Sequence, residues 1–248
     1  PRPMPPGIDV FEPVSAAPVR VRAVHQDMAF HTWGGAQATL QAGATGATLL
    51  DGWGPAGDPQ RRLDLREGDF LCFEQARGAA SGDPLDADPR LRHVVRLCRV
   101  HPTQDRLCEP PQPVLEIFWD EADALPFSMV LERPGNAPGC MPLTGLWVAQ
   151  GNVVLADEGL RVIDEPLGPV PALPPQQVCL CSAQSQPLPV SAMPFEPTLR
   201  HAPLICATAA TPHAAASNLL RQDVRQALPW LRLQSVPGAP DGCGPLFE

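Results

Sequence analysis

Lysine is absent from this chain of 248 residues, and so is tyrosine. All 18 basic residues are arginines. Without lysine there is no P-loop amine to hold phosphates, no Schiff-base amine and no Ser-x-x-Lys nucleophile. Walker-type phosphoryl transfer and pyridoxal chemistry are therefore excluded within the chain. Positive charge is scarce overall, since 27 acidic residues leave a formal net charge of -9. The tightest basic pair is Arg61-Arg62, and an acidic surface repels phosphate backbones, so no nucleic-acid partner is expected. There is no signal-peptide pattern and no run of about 18 apolar residues, so no membrane span is expected. The Gly-x-Ser-x-Gly elbow and the Gly-x-Gly-x-x-Gly cradle are both missing.

Proline is what the chain has in excess, with 33 residues. Each one removes a backbone donor and interrupts helix or sheet, so short strands separated by many turns are expected. Hydrophobic residues make up 44%, enough for a core at this length. The eight cysteines include no Cys-x-x-Cys pair. Cys72 and Cys98 lie in apolar runs and read as small hydrophobes, and a reducing bacterial cytoplasm fits such usage. The Pro1 start and the Pro/Gly-rich end suggest a piece cut from something longer.

Alternation of apolar and polar residues marks the expected strands. Val19–Val24 alternates cleanly. Met28–Trp33 stops at Gly34-Gly35, and Ala44–Leu50 closes on Asp51-Gly52. Phe70–Glu74 follows the turn Glu67-Gly68-Asp69. Val94–Val100 and Val114–Trp119 are joined by a turn-rich connection over 102–113. Asn152–Asp157 and Leu160–Ile163 flank Glu158-Gly159 as a compact hairpin. One helix is expected late, capped by Ser217, carrying Leu220, Val224 and Leu228 at i, i+4 and i+8, and ended by Pro229. The predicted class is mainly β: a small barrel or sandwich of short antiparallel strands, with Pro-rich connectors and one short C-terminal helix. Residues 1–20 read as an extended arm or linker, 21–165 as the β-domain and 166–200 as a Pro-rich connector. Residues 201–248 read as a C-terminal segment leading to a missing downstream domain.

Candidate chemistry is thin. Six histidines include no pair at i, i+4, and His93 and Cys98 would fall on opposite faces of a strand. Cys179-Leu180-Cys181 puts two thiols on one face of an extended segment, at a spacing narrower than zinc sites use. Asp83, Asp86 and Asp88 crowd one loop. They have calcium-ligand character but lack the distal bidentate glutamate, and Asp-Pro units start turns unaided. Glu116, Asp120, Glu121 and Asp123 could serve glycoside hydrolysis only if two carboxylates face each other, and they read first as a solvated strand end. Trp33, Trp53 and Trp119 offer a sugar platform or, more commonly, core and interface anchors.

Several strings, in order, resemble a known family. They are Phe30-His31-Thr32-Trp33-Gly34, then Ala42–Leu49, Glu67–Glu74, Gly82–Pro89 and His93–Leu97. After them come Glu116–Trp119, Glu121–Phe127 and Gly151–Gly159, with Arg221-Gln222-Asp223 and Ala227-Leu228-Pro229 later. Together they resemble the middle region of baseplate assembly proteins of contractile, phage-tail-like injection systems, over about residues 20–235. The match departs where a Cys-Cys pair is replaced by Ala38-Thr39 and where Asp-His-Gly is replaced by Asp157-Glu158-Gly159. The positions carrying it are Trp33, Gly43, Gly68, Asp69, Asp83, Asp86, Asp88, Trp119, Asp123, Asn152, Asp157 and Gly159.

The resemblance implies structural work in baseplate wedge assembly, with other baseplate and tail proteins as partners. It implies no cofactor, metal or small-molecule substrate. Location in the bacterial cytoplasm during assembly, then in the finished particle, is implied as well. A peripheral carbohydrate- or surface-binding β-module is the alternative expectation.

Overall fold

The computed structural model describes residues 9–15, 18–35, 38–54, 60–135, 140–171, 193–208, 211 and 213–234. Cys179-Leu180-Cys181 lies outside the described residues. Among the described residues ten strands occur: β1 (Phe11–Pro13), β2 (Met28–Ala29), β3 (Ala38–Leu40), β4 (Gly46–Leu50), β5 (Phe70–Gln75), β6 (Arg92–Asp105), β7 (Gln112–Trp119), β8 (Met129–Glu132), β9 (Trp147–Gln150) and β10 (Ala156–Glu158). Three-residue 3-10 turns lie at Ala23–His25, Pro84–Asp86 and Glu121–Asp123, and one helix, α1, spans Ala216–Leu220.

The chain divides into two compact units. The larger holds residues 13–155 and 207–228. Its main sheet runs β2-β9-β5-β6-β7-β4, with every neighbouring pair antiparallel. The sheet curls until its edges meet: Phe30, just past β2, bridges Leu49 of β4. The His31 N–H donates to the Thr48 carbonyl at 2.8 Å beside that bridge. β3 and β8 form a separate pair.

Period-2 alternation decides what the curled sheet encloses. Leu71 and Phe73 of β5, Val95 and Leu97 of β6, Leu115, Ile117 and Trp119 of β7, and Trp147 and Ala149 of β9 all face inward and are buried. The Phe73 ring meets Phe30 edge-on at 5.3 Å and Trp119 at 5.2 Å. On the outer side Gly46 lies opposite Phe118. A Cβ there would fall 2.9 Å from Phe118 Cδ1, so only glycine lets β4 approach this ring.

The smaller unit takes the described parts of residues 1–12, 156–206 and 229–248. In it β10 pairs with β1. The Gly159 N–H donates to the Val10 carbonyl at 2.8 Å, and Leu160 bridges Leu204 in parallel. Gly159 has φ 125°, and a Cβ on it would lie 2.8 Å from Ile205 Cα.

The mainly β class and the short C-terminal helix are as the sequence predicts, but several elements differ. Val19–Val24 is no strand: its end is a 3-10 turn, and Val19 and Val21 are exposed. Its backbone has a side-chain partner instead of a neighbouring strand, because Asn152 brackets Arg22 through both peptide groups. The Asn152–Ile163 hairpin is absent, since β10 pairs with β1 and residues 152–155 are not strand. β6 continues to Asp105 and β7 starts at Gln112, so the connection is shorter than 102–113. α1 stops at Leu220, and Ser217 lies within it instead of capping it. Cys98 is exposed because alternation turns it outward beside the inward Leu97, next to the register shift between Leu97 and Arg99.

Phe73 is fully buried with ring contacts on two sides. Phe73→Ala should cost about 3–5 kcal/mol, read as a lowered urea midpoint with the slope unchanged.

Candidate functional site

Asp123 is a fully buried carboxylate of the larger unit. Just after β7 the Asp120 carboxylate accepts the Ala122 N–H at 2.9 Å and starts the turn Glu121–Asp123. That turn aims Asp123 inward, where it has 0% exposure. Its expected place on a solvated strand end is therefore corrected. Oδ2 accepts the N–H groups of Arg96 at 3.0 Å and Ala216 at 2.8 Å, and Oδ1 accepts that of Ser217 at 2.8 Å. The Asp123 carbonyl accepts from His93 Nε2 at 2.8 Å.

This carboxylate does for α1 what no local residue does. The first N–H groups of a helix lack internal partners, and the N-cap Ala215 has no side chain to satisfy them. Asp123 satisfies them from 93 residues away. The Ser217 hydroxyl adds a bond to the Ala122 carbonyl at 2.8 Å. Arg96 spreads across the same junction: Nη1 donates to the Ala214 carbonyl at 3.0 Å and Nε to the Gly68 carbonyl at 3.3 Å. Its guanidinium stands 5.3 Å from the Phe70 ring centroid. Burial pushes the Asp123 carboxyl up, but the N–H groups of Ser217, Arg96 and Ala216 outweigh that and hold it below its ordinary value.

Other buried polar groups also serve the backbone. Asp51 accepts the N–H groups of Gly52 and Leu63 and pairs with Arg61 at 3.2 Å. His25 Nε2 accepts the Asp64 N–H at 3.2 Å. Burial first, and then Arg22, lower the His25 pKa, which favours the neutral ring. His31 Nε2 lies 2.9 Å from Asp105 Oδ2, and Cys108 Sγ is 3.6 Å from the same oxygen. That order is wrong for a nucleophile. The thiol meets a carboxylate where an imidazole base is needed, and burial and Asp105 hold it above its ordinary value.

The positions singled out in the sequence do not converge. Gly43 and Gly68 hold turns at φ 87° and 94°, donating to the Leu125 and Leu97 carbonyls. Asp69 accepts the Arg66 N–H at 2.8 Å. Asp83 accepts from Leu85, Asp86 from the Ser81 hydroxyl and Asp88 from Arg90, so each carboxylate of that loop serves its own turn. Among the described residues, no three His, Cys, Asp or Glu side chains are grouped to hold a metal ion. Glu116 pairs with His101 at 3.0 Å on the outer face of the sheet. Glu116 thus pairs with His101, Asp120 starts its own turn and Asp123 holds the start of α1.

Trp119 is core at 3% exposure, whereas Trp33 and Trp53 are 44% and 49% exposed. Trp33 Nε1 donates to Thr48 Oγ1 at 3.3 Å, and the Arg61 guanidinium covers the Trp53 ring at 5.0 Å. Asn152 brackets Arg22, while Asp157 and Gly159 belong to the smaller unit.

Arg96 and Ala216 carry no sequence signal that would pick them out, because their partner is remote in the chain, and Ser217 reads from sequence only as the cap of its own helix. No protein-family model matches the chain, and neither does any curated protein or solved structure.

Asp123→Ala leaves buried N–H groups unpaired and should cost on the order of 3 kcal/mol, measurable by urea unfolding. The native Asp123 carboxyl titrates below the unfolded one. Its stabilisation is complete above about pH 4 and is lost as pH falls through the depressed native value. Asp123→Asn should therefore flatten that acid limb of a stability–pH curve. His25 works in the same direction over a higher range. With its native value depressed, stability declines as pH drops below about 6.5. His25→Gln, which keeps an acceptor for the Asp64 N–H, should remove that decline in the same curve.

Proposed function

We propose that the chain is a structural component of the baseplate of a contractile, phage-tail-like injection system, making protein–protein contacts in wedge assembly. The observation that carries this reading is the ordered series of strings from Phe30 to Gly159. What supports it beside them is the use of their polar residues. Asp69, Asp83, Asp88, Asp123 and Asn152 commit their side chains to backbone N–H and carbonyl groups. That is how a scaffold uses polar side chains. An enzyme instead keeps polar atoms free for a substrate, and on this reading the chain is not an enzyme. Its partners are other baseplate and tail proteins. It is made in the bacterial cytoplasm and then belongs to the particle. No helix among the described residues is long and apolar enough to cross a membrane.

The exposed Trp33 and Trp53 favour a second reading, a carbohydrate- or surface-binding module on the same particle. It has less support, because each indole already has a partner in Thr48 or Arg61.

Deleting the gene in its source organism and imaging the particles tests the first reading. Tails without assembled baseplates are expected, and an antibody to this chain should label the baseplate end of wild-type particles. Intact baseplates in the deletion strain would refute it. In that case a glycan array with the purified chain, compared with Trp33→Ala, tests the second.

A further inference from the structure

The C-terminal limb of the larger unit, residues 207–228, is anchored on the sheet through a short stretch. Ala214 gives its carbonyl to Arg96, Ala216 and Ser217 give their N–H groups to Asp123, and the Ser217 hydroxyl reaches Ala122. The buried apolar side chains here are Ala215 and Ala216, at 6% and 1% exposure. Neither belongs to the apolar cluster inside the curled sheet. Of the larger apolar side chains, Leu219 is half-buried, whereas Leu220, Val224 and Leu228 are exposed at 59%, 84% and 67%. Directional bonds to one carboxylate, one guanidinium and one carbonyl therefore hold this stretch, with two buried alanines and the half-buried Leu219 as the apolar area behind them. α1 has five residues, too few to persist once those bonds break.

We infer that residues 213–220 form a strap that detaches from the sheet as one unit while the sheet stays folded. Such sub-global opening occurs where few apolar contacts and a localised set of hydrogen bonds tie a segment down. Detachment leaves the inward side chains of β5, β6, β7 and β9 in place. It uncovers the Asp123 carboxylate beside the Arg96 guanidinium. The inference rests on the fold alone and does not depend on the baseplate reading.

Hydrogen–deuterium exchange on the full chain tests it, in wild type, Asp123→Asn and Ala216→Pro. Ala216 is the first helical residue and Ala215 before it is extended, at φ -58° and ψ 153°. Proline therefore suits the helix start while deleting one of the N–H groups that Asp123 accepts. Peptides covering 213–221 should exchange about tenfold faster or more in both variants, while those covering 92–105 and 112–119 stay far better protected than the strap. In wild type, low urea should leave strap exchange nearly constant while accelerating that of β6 and β7, because local opening exposes little surface. Unchanged strap protection in both variants overturns the inference. Strap and sheet strands responding in step to urea overturn it as well.

Discussion

Phe73 stands inside the curled sheet with Phe30 at 5.3 Å on one side and Trp119 at 5.2 Å on the other. These three rings come from β5, from the residue after β2 and from the end of β7, so they tie together strands that are distant in the sheet order. Edge-on contact between rings adds specific geometry to the apolar area they bury. Curling of the sheet and the Phe30–Leu49 bridge bring the edges together around this cluster. The outer face must then accommodate its own crowding, and the glycine at position 46 opposite Phe118 is one consequence.

Polar residues are arranged around that cluster in a consistent way. Asp51, Asp123, His25 and Asn152 each satisfy backbone groups that a chain rich in turns and poor in helix leaves unpaired. Buried polar groups must be hydrogen-bonded or they destabilise the fold, and proline removes donors that strands would otherwise share. Side chains take over work that a regular sheet does through its ladder. A carboxylate committed in this way is not free to move a proton. The same constraint accounts for the scarcity of candidate chemistry in the described residues.

Much of the fold was legible in the chain. The runs around Leu71, Val95 and Ile117 read as strands because each has one buried face, and this pattern survives whatever the partner strand is. Legibility failed where a segment's partner was remote. Val19–Val24 alternates as well as a strand does, yet its partner is the Asn152 side chain. Leu160–Ile163 was paired with its nearest neighbour in sequence, whereas Leu160 bridges Leu204. Leu220, Val224 and Leu228 share a helical spacing without a helix to carry it past Leu220.

Asp123 marks the division most sharply. The sequence by itself determined the mainly β class, the short strands and the exclusion of lysine chemistry, because composition and two-residue periodicity are local properties. It placed Asp123 in an acidic, solvated strand end, since its neighbours Asp120 and Glu121 read that way. Only the tertiary structure decided that Asp123 turns inward and caps a helix 93 residues further on. Capping needs nothing more than an acceptor within reach of an unpaired N–H, and reach is set by how the chain folds back on itself.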